Sequence, residues 1–376
     1  MLIIGEFLEM SATKSIKIGI TSQSDKNLFG NGLTQNIWFL FRILKNSGYD
    51  VSLVAEQEES IGNHLITEQI KPLNVENLNN FDLIIECAYS LSATLDEKIK
   101  DSGIVRVGIQ YGNRLIIDLE SIIFDKNYGI SAKSRIDEIW CSPHFKFSMQ
   151  PIETFNKTEV KICPYVWSPD VLIHKLIRDK LDPFFKQTTN INNLSFFEPN
   201  LNVLKTCLVP LAISEDLYLR RPELINKIYA FNTFKLKNNK SFIQRVSQLK
   251  IQKEAKIFYE KRFSFIEMLN DNNTGVVISH HWMNGLNYLQ LEAMYFGTPF
   301  VHNSEFFKDH GYYYPEWDSK EGSKQLELAI ETHKDVFLKE RGRDREKLWE
   351  FHPDNPKNIQ GYVDLIENAL AKHLRK

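Results

Sequence analysis

Short apolar runs alternate along this chain with longer stretches whose apolar positions recur every three or four residues. The runs read as buried strands of a parallel sheet and the stretches as helices with one buried face. In the first half the runs are Ser15 to Ile20, Val51 to Val54, Leu83 to Ile85, Val105 to Ile109, Ile136 to Trp140 and Val160 to Cys163. A helix is predicted from Leu33 to Asn46, with Gly48 as its stop. In the second half strands are expected at Phe196-Phe197, Ile228 to Phe231, Val276 to Ile278 and Phe300-Val301. Arg245 through Arg262 reads as an exposed amphipathic helix. Lys320 to Leu338, Arg341 to Glu350 and Asn358 to His373 read as further helices, and Tyr312-Tyr313-Tyr314 as an aromatic loop. Strand, helix, strand in repetition predicts an α/β chain of the doubly wound, Rossmann-like type. Ser168-Pro169-Asp170, Asp182-Pro183 and the polar cluster Thr188 to Asn193 look like linker, which places a domain boundary near residue 190.

Length supports that division, since 376 residues exceed one ordinary core and suit two domains. A formal net charge of −2 provides no whole-chain pull toward nucleic acid or an anionic membrane. Cys87, Cys141, Cys163 and Cys207 fall mostly inside apolar segments and read as buried thiols of a reducing compartment. No Cys or His spacing matches a zinc site, so no metal is expected. MLIIGEFLEM lacks a basic n-region and a small-residue cleavage site, and no run approaches a membrane span. A cytoplasmic protein is expected, with peripheral membrane contact left open.

The stretch Thr274 to Ser304 carries the most information. After the strand Val276 to Ile278 the chain turns polar through His280, His281, Asn284 and Gly285, and a helix is predicted over Leu286 to Phe296. Gly297 stops that helix in a left-handed conformation and Pro299 prevents its continuation. Between Trp282 and Phe300 the only charged residue is Glu292. A lone carboxylate in apolar company either reaches solvent, caps a backbone group or accepts hydrogen bonds from ligand hydroxyls. The helix start beside it could hold a phosphate. In an open parallel sheet ligands bind beyond the carboxyl ends of strands. The polar residues there are Glu86 and Tyr89, Gln110 to Asn113, Ser142 and His144, and Tyr165 and Trp167. Asp25, Glu86 and His144 are the candidate general bases among the strand-end groups, and His281 joins them as a candidate catalytic group.

Asn284-Gly285-Leu286, Leu291-Glu292-Ala293-Met294 and Gly297-Thr298-Pro299-Phe300-Val301 resemble the donor-binding segment of GT-B glycosyltransferases with a "group 1" C-terminal domain. The resemblance implies two facing Rossmann-like domains, an acceptor domain over 1–190 and a nucleotide-sugar domain over 191–355. A C-terminal helix within 356–376 would cross back onto the first domain. Glu292 matches the family's ribose-binding glutamate, and Asn284 stands where the family carries another. Asn200 and Lys205, the latter expected on a helix, would meet the donor diphosphate. His280, His281, Asn284, Gly285, Leu286 and Asn287 would surround donor and sugar. The implied activity is metal-independent transfer of a hexose or pentose from a nucleotide sugar, which is a co-substrate, so that no cofactor is expected. The acceptor stays open, as does retention or inversion at the anomeric carbon. A nucleotide-sugar epimerase of the same fold, or a silent nucleotide- or sugar-binding module, are the alternatives.

Overall fold

A computed structural model describes residues 15–23, 32–56, 68–87, 89–100, 102–125, 136–270 and 274–373. Two sheets form. The first contains β1 (Lys17–Thr21), β2 (Asp50–Ala55), β3 (Lys71–Pro72), β4 (Leu83–Cys87), β5 (Val105–Gln110), β6 (Glu138–Cys141) and β7 (Glu159–Ile162), in the order β3-β2-β1-β4-β5-β6-β7. The second contains β8 (Asn193–Phe196), β9 (Lys227–Ala230), β10 (Ile257–Tyr259), β11 (Val276–Ser279), β12 (Phe300–His302) and β13 (Tyr312–Tyr313), in the order β10-β9-β8-β11-β12-β13. Neighbouring strands pair in parallel throughout; Ile18, for example, lies opposite Val51 on one side and Leu83 on the other. Continuous apolar runs suit such strands because helices cover both faces.

Each sheet reverses its winding direction once, between β1 and β4 and between β8 and β11. The expected boundary at residue 190 falls in the segment between the last strand of one sheet and the first of the next. The helix Tyr288–Phe296 begins after an Asn287 cap, whose Oδ1 accepts from Leu289 N–H at 3.0 Å, and it ends at Gly297 with φ 68°. Beyond it the single helix Ser319–Glu350 replaces the two predicted there. The helix Pro356–His373 then packs on the helix Gly32–Asn46 of the first domain. The Tyr362 hydroxyl donates to the Pro164 carbonyl at 2.8 Å, and Trp167 N–H donates to Phe351 O at 2.8 Å. These bonds tie the two chain crossings together.

Other local expectations differ. Arg245 to Arg262 is not one helix: Lys240–Val246 and Lys250–Lys253 are short helices, Ala255 adopts φ 55°, and β10 follows. Val246, Ile251 and Ile257 are buried against the sheet, so completing a strand edge outweighed the helical spacing of the charges. The tyrosine cluster contributes β13, and Tyr314 is core. All four cysteines are buried and unbridged. Among the described residues no helix is long and apolar enough to cross a membrane.

Candidate functional site

The carboxyl ends of both sheets face one cleft of about 880 Å³, within the usual range for small-molecule sites. Its walls come from the two points where the winding reverses. The first domain contributes Gln35 and Asn36 from the helix after β1, Tyr111 and Asn113 from the turn after β5, and Tyr165. The second contributes Glu198 and Lys205 from the segment after β8, and Asn284, Leu286, Asn287 and Glu292 from the segment after β11. Reversal points leave a crevice because successive helices depart on opposite faces of the sheet. Three contacts tie the two walls together. Tyr288 Oη lies 2.7 Å from Asn36 Oδ1 and 2.8 Å from the Val166 carbonyl, and Asn113 Nδ2 donates to Met283 O at 3.1 Å.

Glu292 sits one turn into its helix and lines the cleft. Among the described residues its carboxylate has no hydrogen bond or ion pair. Burial pushes its pKa up to about 8. Lys205 also lines the cleft with no ion pair among the described residues, and burial lowers its pKa, only partly opposed by the charge of Glu198. Lys205 is not helical, as its main chain bridges to His281 in a single antiparallel pair and the helix starts only at Leu208. That bridge brings the segments after β8 and β11 side by side.

Between them lies Glu198. Its carboxylate accepts from the Ser279 hydroxyl at 2.8 Å and from His280 N–H at 3.2 Å, and it faces His281 Nε2 at 3.2 Å. Burial alone would raise its pKa, yet the His281 and Lys205 charges and the Ser279 bond leave it lowered overall. His281 Nδ1 is 3.1 Å from the Asn284 carbonyl, and Asn287 Nδ2 is 3.3 Å from His281 Nε2.

Residues 16–366 match the family described as "Protein of unknown function (DUF2827)". The chain belongs to that family. No curated protein matches it. The structure of this DUF2827 chain is similar to the glycosyltransferase of Rickettsia africae ESF-5, at 10% identity and TM-score 0.56, over 95% of this chain and 99% of that one. It is similar to Anabaena HepE, solved with UDP and glucose, at 13% identity and TM-score 0.54, over 94% and 99% of the two chains. It is also similar to the DNA-modifying β-glucosyltransferase, at 10% identity and TM-score 0.55, over 95% and 100%. At such identities the likeness is one of fold, and the fold is GT-B.

Of the site residues expected from sequence, the DUF2827 fold brings Lys205, Asn284, Leu286, Asn287 and Glu292 to the cleft wall. Others serve the frame around it. Asn200, at φ 52°, receives the Cys207 N–H at the start of the helix Leu208–Arg220 and donates to Glu198 O, so it shapes the turn and does not face the cleft. Gly285 stays off the wall; a Cβ there would come within 2.9 Å of the Phe306 ring. His280 turns away, its Nδ1 2.9 Å from the Tyr314 hydroxyl, and burial lowers its pKa to about 4. The His281 side chain is buried behind the wall. Glu86 is withdrawn as a general base because its carboxylate is ion-paired with Arg106 inside the first domain, where Arg106 also binds Asp96. His144 lies behind the wall against Phe145, Tyr165 and Phe306. Burial and then the Lys205 charge lower its pKa to about 3. Asp25 lies outside the described residues. Of the strand-end polar list, Tyr111, Gly112, Asn113 and Tyr165 reach the cleft, whereas Trp167 is core. Sequence reasoning missed Glu198. The available signal was a carboxylate directly after the expected strand Phe196-Phe197, where a buried charge requires partners.

Proposed function

We propose that the chain is a glycosyltransferase that moves a sugar from a nucleotide-sugar donor to an acceptor, with residues 191–355 as the donor side and 1–190 as the acceptor side. One observation carries the proposal: a carboxylate, Glu292, and a cation, Lys205, each unpaired among the described residues, line the same interdomain cleft of a GT-B fold. A half-buried charge without a partner is costly to maintain, and the cost is offset where a ligand supplies the partner. Glu292 then accepts hydrogen bonds from the ribose hydroxyls, which stabilise its ionised form. Lys205 meets the diphosphate beside the positive end of the helix Tyr288–Phe296. Transfer forms a bond from an acceptor hydroxyl oxygen to the anomeric carbon and breaks the bond from that carbon to the phosphate oxygen, and the hydroxyl proton passes to the departing phosphate. Negative charge therefore builds on the leaving diphosphate, where Lys205 stabilises it most. On this reading protein groups hold the leaving group and no metal takes part. The Anabaena and DNA-modifying structures, solved with UDP, glucose or a UDP-sugar, support the donor class.

The test is a thermal-shift panel of UDP, GDP and ADP with their glucose conjugates, followed by product analysis on each stabilising sugar nucleotide. Stabilisation together with slow hydrolysis in the absence of acceptor supports transfer. Clean conversion to an epimer would assign the cleft to isomerisation. Failure of every nucleotide to bind would sink the proposal.

A further inference from the structure

We propose that Glu198 is the positioning residue of the donor site, holding the loop His280–Asn287 in the geometry that presents Lys205 and the helix start to the phosphates. The inference rests on the proposed function for its ligand, but not for its structural core.

The argument begins with the cost of the carboxylate. Glu198 is almost fully buried, and an isolated buried carboxylate is expensive unless several donors converge on it. Two donate from consecutive residues, the Ser279 hydroxyl and His280 N–H, and the His281 ring faces the carboxylate from the next position; the three form the end of β11 and the first part of the loop. The restraint continues along the chain. His281 Nδ1 faces the Asn284 carbonyl, and Asn287, which caps the helix Tyr288–Phe296, places its Nδ2 beside His281 Nε2. The His281 main chain is also bridged to Lys205, and Trp282 N–H donates to Leu204 O at 2.9 Å. One carboxylate on the β8 side thus sets the position of the β11 loop, and through it the position of Asn284, Asn287 and Lys205 on the cleft wall. Because the Glu198 oxygens are engaged by these donors and Lys205 forms no ion pair among the described residues, the lysine stays available to an incoming anion.

Glu198→Gln keeps the size of the side chain but turns an amide donor toward a ring nitrogen or removes an acceptor from it. Two readouts on the full chain test the idea. The first is hydrogen–deuterium exchange of the unliganded protein. Exchange over residues 280–287 should quicken in Glu198→Gln while β9, β12 and the helix Ser319–Glu350 keep their protection. The second is the affinity for UDP against uridine, with GDP/guanosine and ADP/adenosine in parallel. Affinity for the preferred diphosphate should fall about tenfold to a hundredfold, while its nucleoside changes little, because the loss falls on the phosphate-facing groups. A role in general stability alone would weaken both ligands together. Ser279→Ala, which removes one donor and leaves the charge, should show the same pattern at smaller amplitude, and serves if Glu198→Gln does not fold. Unchanged exchange over 280–287 in both variants, or equal losses for diphosphate and nucleoside, overturns the proposal. Faster local exchange in a protein that binds no nucleotide would retain the positioning role and reject the donor assignment.

Discussion

Replacing Glu292 by glutamine should make the unliganded protein more stable and the donor complex weaker. The carboxyl is pushed from an ordinary value near 4.5 up to about 8 by burial alone. Each tenfold change in a protonation equilibrium is worth about 1.4 kcal/mol, so ionising this group in the fold costs on the order of 5 kcal/mol relative to water. The side chain is partly open to the cleft, and solvent there reduces the figure to about 1–3 kcal/mol. In the unfolded chain the group is ionised above about pH 4.5, whereas in the fold it keeps its proton until about pH 8. The unfolded state therefore binds fewer protons across that window, and the wild-type protein loses stability as pH rises through it. Glutamine carries no such linkage. Urea unfolding at pH 5.5 and 8.5 should show Glu292→Gln ahead at both, with the advantage larger at 8.5. Calorimetry with the preferred nucleotide diphosphate should show the reverse order, wild type binding at least about tenfold more tightly, as expected for hydrogen bonds to a charged acceptor. At pH 7 the wild-type protein should also release a fraction of a proton on binding, visible as a buffer-dependent enthalpy, and the variant should not. A stability difference that does not grow with pH, or equal affinity in the two proteins, would refute the reasoning.

Lys205→Met should leave folding stability unchanged or raised, since burial already disfavours the charge, while diphosphate affinity in the same calorimetric assay falls by about tenfold to a hundredfold. Arg106→Met leaves Glu86 and Asp96 buried without their cation, so a loss of about 3–5 kcal/mol is expected by urea unfolding at pH 7, smaller at pH 5 as the Glu86 carboxyl, whose pKa burial already raises, takes up a proton. His144 should stay neutral from pH 8 down to about 5, so its ring resonances in an NMR titration should not move over that range, in keeping with a position behind the cleft wall.

The sheets and their alternation with helices were legible in the sequence because strands buried on both faces must be apolar throughout. Helix stops such as Gly297 were legible because a left-handed residue favours glycine. The isolation of Glu292 was legible for a related reason: one charge amid uncharged neighbours has no local partner, and the fold leaves it on the cleft wall. Which of the remaining polar residues share a site was decided only by tertiary structure. Glu86 and His144 end strands just as cleft residues do, yet Arg106 captures one and an aromatic cluster encloses the other. Glu198 and His281 lie more than eighty positions apart in the chain and meet because β8 and β11 pair as neighbours at the reversal of winding. Hydrophobic periodicity records which face of an element is buried, and it contains no term for which distant polar group will be waiting there.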